Sequence, residues 1–291
     1  MESAERSSAY ALLERGAPLA GFLSDALCHA PNGRDHCGAL HGIWPDLRLL
    51  GLAAEPARHA SFYATALRTC APIGVSPQVL VSGCADWGML ETVASAYRAR
   101  AERLDVTVVD RCPTPALLCA WYGSQIGLPV RTAVGDVSTW GESQSFDVIC
   151  THSLLTYPAL EGRHQLVSNW YRLLRPGGVV VTVSRLTTEL MSAEVDETRA
   201  RRFGELAIQR CEQIGLERDP TELRARAERF AKAQVSHPVG TQADLRELFE
   251  RHGFAVSRLD VRHLEGIMNA REPVGGAART GAYGEIVALR R

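Results

Sequence analysis

One stretch constrains this 291-residue chain more than any other: Gln78 to Asp110 reads as strand, glycine turn, helix, strand. Val79, Leu80 and Val81 make a short apolar run of buried-strand type. Gly83 follows. Met89, Leu90, Val93, Ala94 and Tyr97 then recur at helical spacing, with Arg98, Arg100, Glu102 and Arg103 on the opposite side. A second apolar run, Val106 to Val109, ends in Asp110. The unit is long enough for a parallel βαβ crossover. Its acid stands 22 residues beyond Gly88, where a nucleoside-binding fold places a carboxylate for ribose hydroxyls.

Further segments extend the pattern. A third strand is expected before Gly135-Asp136, a fourth in SFDVICT (145–151) and a fifth after the Pro-Gly-Gly turn of LLRPGGVVVTV (173–183). A helix near 241–252 would lead to a sixth strand, Phe254 to Val261, and a seventh, Glu285 to Leu289. Thr114 is placed to cap a helix ending near Gly127, and Pro220 suits a first helical position after Asp219.

These motifs together resemble the class I S-adenosylmethionine-dependent methyltransferases: a glycine loop after strand one, an acid ending strand two, an Asp after strand three, an F-D-x-I strand four and L-L-R-P-G-G before strand five. The resemblance covers residues 76 to 185 strongly and 241 to 291 more loosely. It implies an α/β fold, a seven-stranded mostly parallel sheet with helices on both faces. The cofactor implied is S-adenosyl-L-methionine, bound by Gly83, Cys84, Ala85, Asp110, Arg111, Asp136, Val137 and Thr151. Asp110 would accept from the ribose and Asp136 from the adenine amino group. A plainer reading makes Asp136 the N-cap of a short helix, DVSTW, and Arg111 a solvated turn charge. The first loop departs from the family pattern, with Val81 in place of an acid and Ala85 in place of a second glycine.

Composition excludes some functions. The 32 basic and 33 acidic residues nearly cancel, so no electrostatic case exists for a nucleic-acid or membrane-surface partner. No apolar run approaches the length of a spanning helix, and the first residues lack the plan of a signal peptide. A cytoplasmic compartment and a small-molecule substrate are expected.

Outside the core, residues 1–75 read as a helical cap and 186–240 as a helical insertion, either a lid or a homodimer surface. Residues 241–291 complete the sheet. Cys28, His29, His36, Cys37 and His41 crowd into fourteen positions. Their spacing lacks the two-residue gaps of common zinc motifs, so no metal is expected. The eight cysteines are expected to be reduced. His36, His41, Trp44 and Arg48 are either cap residues near a substrate or packing residues.

In an open α/β sheet ligands sit beyond the carboxyl ends of the strands. Thr151, His152 and Ser153 end strand four, with Tyr157 close behind. His152 is a candidate general base, because imidazole titrates near neutral pH; its plainer role is an orienting hydrogen bond. His41 and Tyr157 are the other catalytic candidates. The loop after strand six offers Arg262, His263, Asn269, Arg271 and Tyr283, with Gly275 and Gly276 for mobility. Three functions stay open: methyl transfer to a small molecule of a biosynthetic pathway; use of the cofactor's aminocarboxypropyl arm, for example cyclisation to azetidine-2-carboxylate; and a non-catalytic scaffold.

Overall fold

The computed structural model describes residues 2–28, 36–70, 76–98, 104–187, 197–233, 237–264 and 281–291. His29, the His36 side chain, Asn269, Arg271, Gly275 and Gly276 lie outside them. The chain divides into two compact units, 55–191 with 236–264 and 281–291, and 1–54 with 192–235 and 265–280.

The first unit is a seven-stranded sheet in the order β3-β2-β1-β4-β5-β7-β6. Its strands are β1 (Gln78–Ser82), β2 (Asp105–Asp110), β3 (Val130–Val134), β4 (Phe146–His152), β5 (Leu174–Arg185), β6 (Phe254–Leu264) and β7 (Gly281–Arg290). β1 to β5 pair in parallel. β7 runs antiparallel to both of its neighbours. The central strands are dry: Val79, Leu80, Val81, Val148, Ile149 and Cys150 are all fully buried, as parallel strands covered on both faces must be. The family's acidic position on β1 is thus filled here by an apolar side chain at the centre of the sheet.

Right-handed crossovers decide which helix covers which face. α5 (Gly88–Arg98) joins β1 to β2, and α6 (Pro113–Ile126) joins β2 to β3. α4 (Ala60–Cys70) precedes β1 and packs on α5. The opposite face carries α7 (Leu160–Leu173) and α10 (Gln242–Arg251). There Trp170 stacks on Phe249 at 6.2 Å between centroids, in a cluster with Leu80, Ile149, Val180 and Ile286. The Trp170 indole N–H donates to the buried Ser82 hydroxyl at 2.9 Å.

Local signals mostly act as expected. Gly127 ends α6 in the left-handed conformation. Thr241 and Asp244 form a capping box on α10. Two expectations are corrected. α6 is started by Cys112, not capped by Thr114, which is buried in its first turn; Asp110 accepts from the Cys112 N–H instead. Strand five begins before the Pro-Gly-Gly turn, because Leu174 already pairs with Phe146, and the turn is absorbed as a register shift with Gly177 at φ +80°.

The second unit is helical in its described residues: α1 (Glu2–Leu27), α2 (His36–His41), α3 (Trp44–Leu49), α8 (Glu197–Ile214) and α9 (Pro220–Ala233). The segments read from sequence as cap and insertion therefore share one unit, and residues 55–70 go with the sheet. Asp219 caps α9 by accepting from Thr221 and Glu222 N–H groups. Arg218 ties α3 to the α8–α9 connection through Asp46 at 2.8 Å. Trp44, Phe230 and Phe203 pack as a chain of rings, with centroids 6.1 and 5.8 Å apart.

Phe249→Ala would remove the ring that both Trp170 and Phe254 pack against. The expected loss is about 3–5 kcal/mol of stability, read as a lower urea midpoint at unchanged slope.

Candidate active site at the strand ends

Asp110 organises the first half of the site. Its Oδ2 accepts from Cys84 N–H at 2.9 Å and its Oδ1 from Cys112 N–H at 2.8 Å. Its backbone carbonyl accepts from Gly135 N–H at 2.8 Å, while Val109 accepts from Gly83 N–H at 2.8 Å. The loops after β1, β2 and β3 are thereby tied together at one residue. Gly83 sits at φ +67°, and a Cβ there would lie 2.8 Å from Leu154 Cδ1, so both conformation and space require glycine. Ala85 is half-buried. Asp86, buried in the same loop, accepts from Gly88 N–H at 2.7 Å and opens α5.

The Cys84 sulfur lies 3.9 Å from Cys119 Sγ. That contact, burial and the nearby acids hold its thiol well above the ordinary range, so it is neutral at pH 7 and no thiolate nucleophile. Asp136 Oδ1 accepts from the Ser138 N–H at 2.9 Å and hydroxyl at 2.6 Å. Its Oδ2 lies 3.3 Å from the largely exposed Arg111. Asp136 therefore caps a tight turn rather than a helix. Partial burial raises its carboxyl, but the two Ser138 donors and the Arg111 charge outweigh this and leave it lowered. Val137 is buried, and its carbonyl accepts from Asn169 Nδ2 at 2.7 Å.

The second half lies at the ends of β4, β5 and β7. Tyr63 of α4 donates its one hydroxyl hydrogen to the Thr151 carbonyl at 2.8 Å. Its oxygen lies 3.1 Å from His152 Nδ1, so by elimination the imidazole carries its hydrogen on Nδ1 and donates it. The Nε2 lone pair of a neutral His152 is then the basic one. Behind it, His59 Nδ1 lies 2.7 Å from Glu285 Oε1. Both residues are buried. The rings of His59 and His152 are 5.6 Å apart, and Tyr283 lies 5.3 Å from His59. Burial pushes the Tyr63 phenol well above its ordinary value, so it stays protonated.

Among the described residues, the buried Thr151 hydroxyl has no hydrogen-bond partner. Ser153, next to His152, holds φ +55°, a strained conformation for a non-glycine residue. Tyr157 ends the following 3₁₀ turn and is 44% exposed. His41 belongs to the helical unit, where it is buried with Nδ1 3.6 Å from Cys28 Sγ.

Known proteins share the fold. A family model described as a methyltransferase domain matches residues 79–178. The match spans 100 of the 291 residues, so it marks a methyltransferase-like domain within the chain. Among curated proteins none matches the chain. Three solved structures share the fold at low identity. YcgJ from Bacillus subtilis is 15% identical with a TM-score of 0.52, covering 80% of this chain and 99% of its own. A candidate methyltransferase from Bacillus halodurans C-125 is 14% identical with a TM-score of 0.51, covering 79% and 99%. The [4+2]-cyclase SpnF is 11% identical with a TM-score of 0.52, covering 85% and 92%.

The strand ends present carboxylates suited to S-adenosylmethionine, the cofactor that the sequence resemblance implies. A carboxylate has about four acceptor positions. Asp110 uses two for the Cys84 and Cys112 N–H groups, and Asp136 Oδ2 lies beside Arg111. Sequence reasoning did not single out His59, Tyr63, Glu285 or Asn169. His59 and Tyr63 look like the apolar face of a helix, and Glu285 looks like the polar start of a strand. Only the pairing of β7 with β5, which sets Glu285 opposite Val183, brings the carboxylate to the site.

Two outcomes follow from this geometry. Gly83→Ala adds about 1–2 kcal/mol of left-handed strain besides the clash, so affinity for S-adenosylmethionine should fall about tenfold or more by calorimetry. Asp136 has a lowered folded value, so its contribution to stability is complete above the unfolded value and disappears as pH falls through the folded one. Ser138→Ala removes one of the two Ser138 donors. In an NMR titration Asp136 should then titrate at a higher pH, and the stability lost on acidification should be smaller than in the wild type.

Proposed function

We propose that this protein transfers the methyl group of S-adenosylmethionine to a small acceptor whose reacting atom must lose a proton. The observation behind this reading is the His152–Tyr63 pair backed by buried His59 and Glu285 at the ligand end of the sheet. The cofactor's sulfonium supplies an electrophilic carbon with a neutral thioether leaving group. The protein's share is positioning, exclusion of water and management of one proton.

In this reading Asp110 and Asp136 hold the nucleoside. His152 Nε2 takes the proton from an acceptor hydroxyl or ammonium as the nucleophile attacks. Tyr63 fixes the tautomer and ring orientation. Glu285, through His59, supplies negative charge near the imidazolium that forms. A near-neutral surface suits a small acceptor better than a nucleic acid.

A second reading rests on the same base and on the Val81 and Ala85 departures. There His152 takes the proton from the cofactor's own ammonium, and the amine displaces methylthioadenosine as azetidine-2-carboxylate closes. SpnF shows that this fold hosts a cyclase, in that protein.

Incubation with S-adenosylmethionine and an acceptor library separates the readings by product. S-adenosylhomocysteine formed only with acceptor is the expected outcome. Methylthioadenosine formed without acceptor would sink methyl transfer, and absence of binding would favour a scaffold. Glu285→Gln should lower kcat by about 10²-fold or more and leave the Kd for S-adenosylmethionine unchanged. Tyr63→Phe should shift the acid limb of the pH–rate profile, a readout that a packing role would not move.

A further inference from the structure

The helical unit carries a cluster that the proposed reaction does not use. α2 places Cys37 and His41 four residues apart, on one face of a single helical turn. Cys28 directly follows α1, and its N–H continues the helix by donating to the Ser24 carbonyl at 3.0 Å. The buried Ser24 hydroxyl donates to the Gly38 carbonyl at 3.0 Å, which fixes the end of α1 against α2. As a result Cys28 Sγ, Cys37 Sγ and a ring nitrogen of His41 lie within 4.8 Å of one another. Cys28 and His41 are buried and Cys37 is half-buried.

We infer that Cys28, Cys37 and His41 bind a zinc ion. Bonds of about 2.3 Å to sulfur and about 2.1 Å to nitrogen at a tetrahedral angle set the two ligand atoms about 3.6 Å apart. Cys28 Sγ and His41 Nδ1 stand 3.6 Å apart. The donor set is two soft sulfurs and one imidazole, which selects zinc over the hard, oxygen-seeking cations. Two thiolates offset the metal's double charge, so the complex adds no net charge to a buried site. Binding releases the two thiol protons. The three ligands leave a fourth position for water or another donor, and the ion clamps the end of α1 to α2.

The same geometry explains why spacing alone hides the site. In C-x8-C-x3-H the second gap is a helical turn, and the first is the stretch of sequence between α1 and α2. Neither is the short knuckle of familiar zinc motifs.

The test uses the full chain expressed in zinc-supplemented medium and gel-filtered in chelator-treated buffer. One zinc per chain by elemental analysis is expected, and exchange for cobalt should give thiolate-to-cobalt charge-transfer bands. Cys37→Ser changes only a half-buried atom and should lose at least nine-tenths of the metal; His41→Gln should do the same. Cys150→Ala, in the sheet, should retain it. Wild-type protein with far less than one zinc and no cobalt bands overturns the inference, as does stoichiometric zinc that survives both ligand substitutions. A Cys28–Cys37 disulfide in freshly purified wild-type protein, seen by mass spectrometry, also overturns it.

Discussion

The two hydrogen bonds from Cys84 and Cys112 N–H to the Asp110 carboxylate hold the open end of the sheet together. Three loops would otherwise leave the ends of β1, β2 and β3 with backbone donors pointing at a cleft. One side chain satisfies two of them, and its own carbonyl takes a third from Gly135. A buried donor left unsatisfied costs about 1–3 kcal/mol, so these loops cannot drift apart cheaply. The same carboxylate is thereby held in a set geometry at the open end of the sheet. Preorganisation of this kind reduces the ordering cost of binding. Asn169 does the same for the loop after β3, donating from α7 to the Val137 and Trp140 carbonyls.

A different constraint shapes the other half of the site. Parallel strands buried on both faces admit polar groups only in mutually satisfied sets. Tyr63, the Thr151 backbone carbonyl and His152 form one such set, and His59 with Glu285 forms another. Both lie where the sheet stops. The strained Ser153 sits at the same point. Polar groups, strain and a local break in regular structure coincide there, a combination that belongs to functional sites more than to packing.

The helical unit is held by other means. Its described helices are tied by the Asp46–Arg218 pair, by Asp25–Arg226 and by the rings of Trp44, Phe203 and Phe230. α8 and α9 are strongly amphipathic, with Phe203, Ala207, Leu223, Ala227 and Phe230 buried and mostly charged residues outward. The proposed zinc would add a clamp where α1 gives way to α2.

Sequence by itself determined the sheet and marked the glycine and the acids at its strand ends. Those signals are local: short apolar runs, a glycine that must adopt positive φ, acids that end strands, and a capping box. Gly83, Asp110 and Asp136 were legible for that reason. Tertiary structure alone decided the rest. Glu285 reaches His59 across 226 positions of chain because β7 inserts antiparallel beside β5. Tyr63 reaches Thr151 across 88 positions because α4, ahead of the first strand, packs against α5. Cys28 meets His41 because two helices pack. Residue type is written along the chain, but a site assembled from distant segments exists only once strand order and helix packing choose its neighbours.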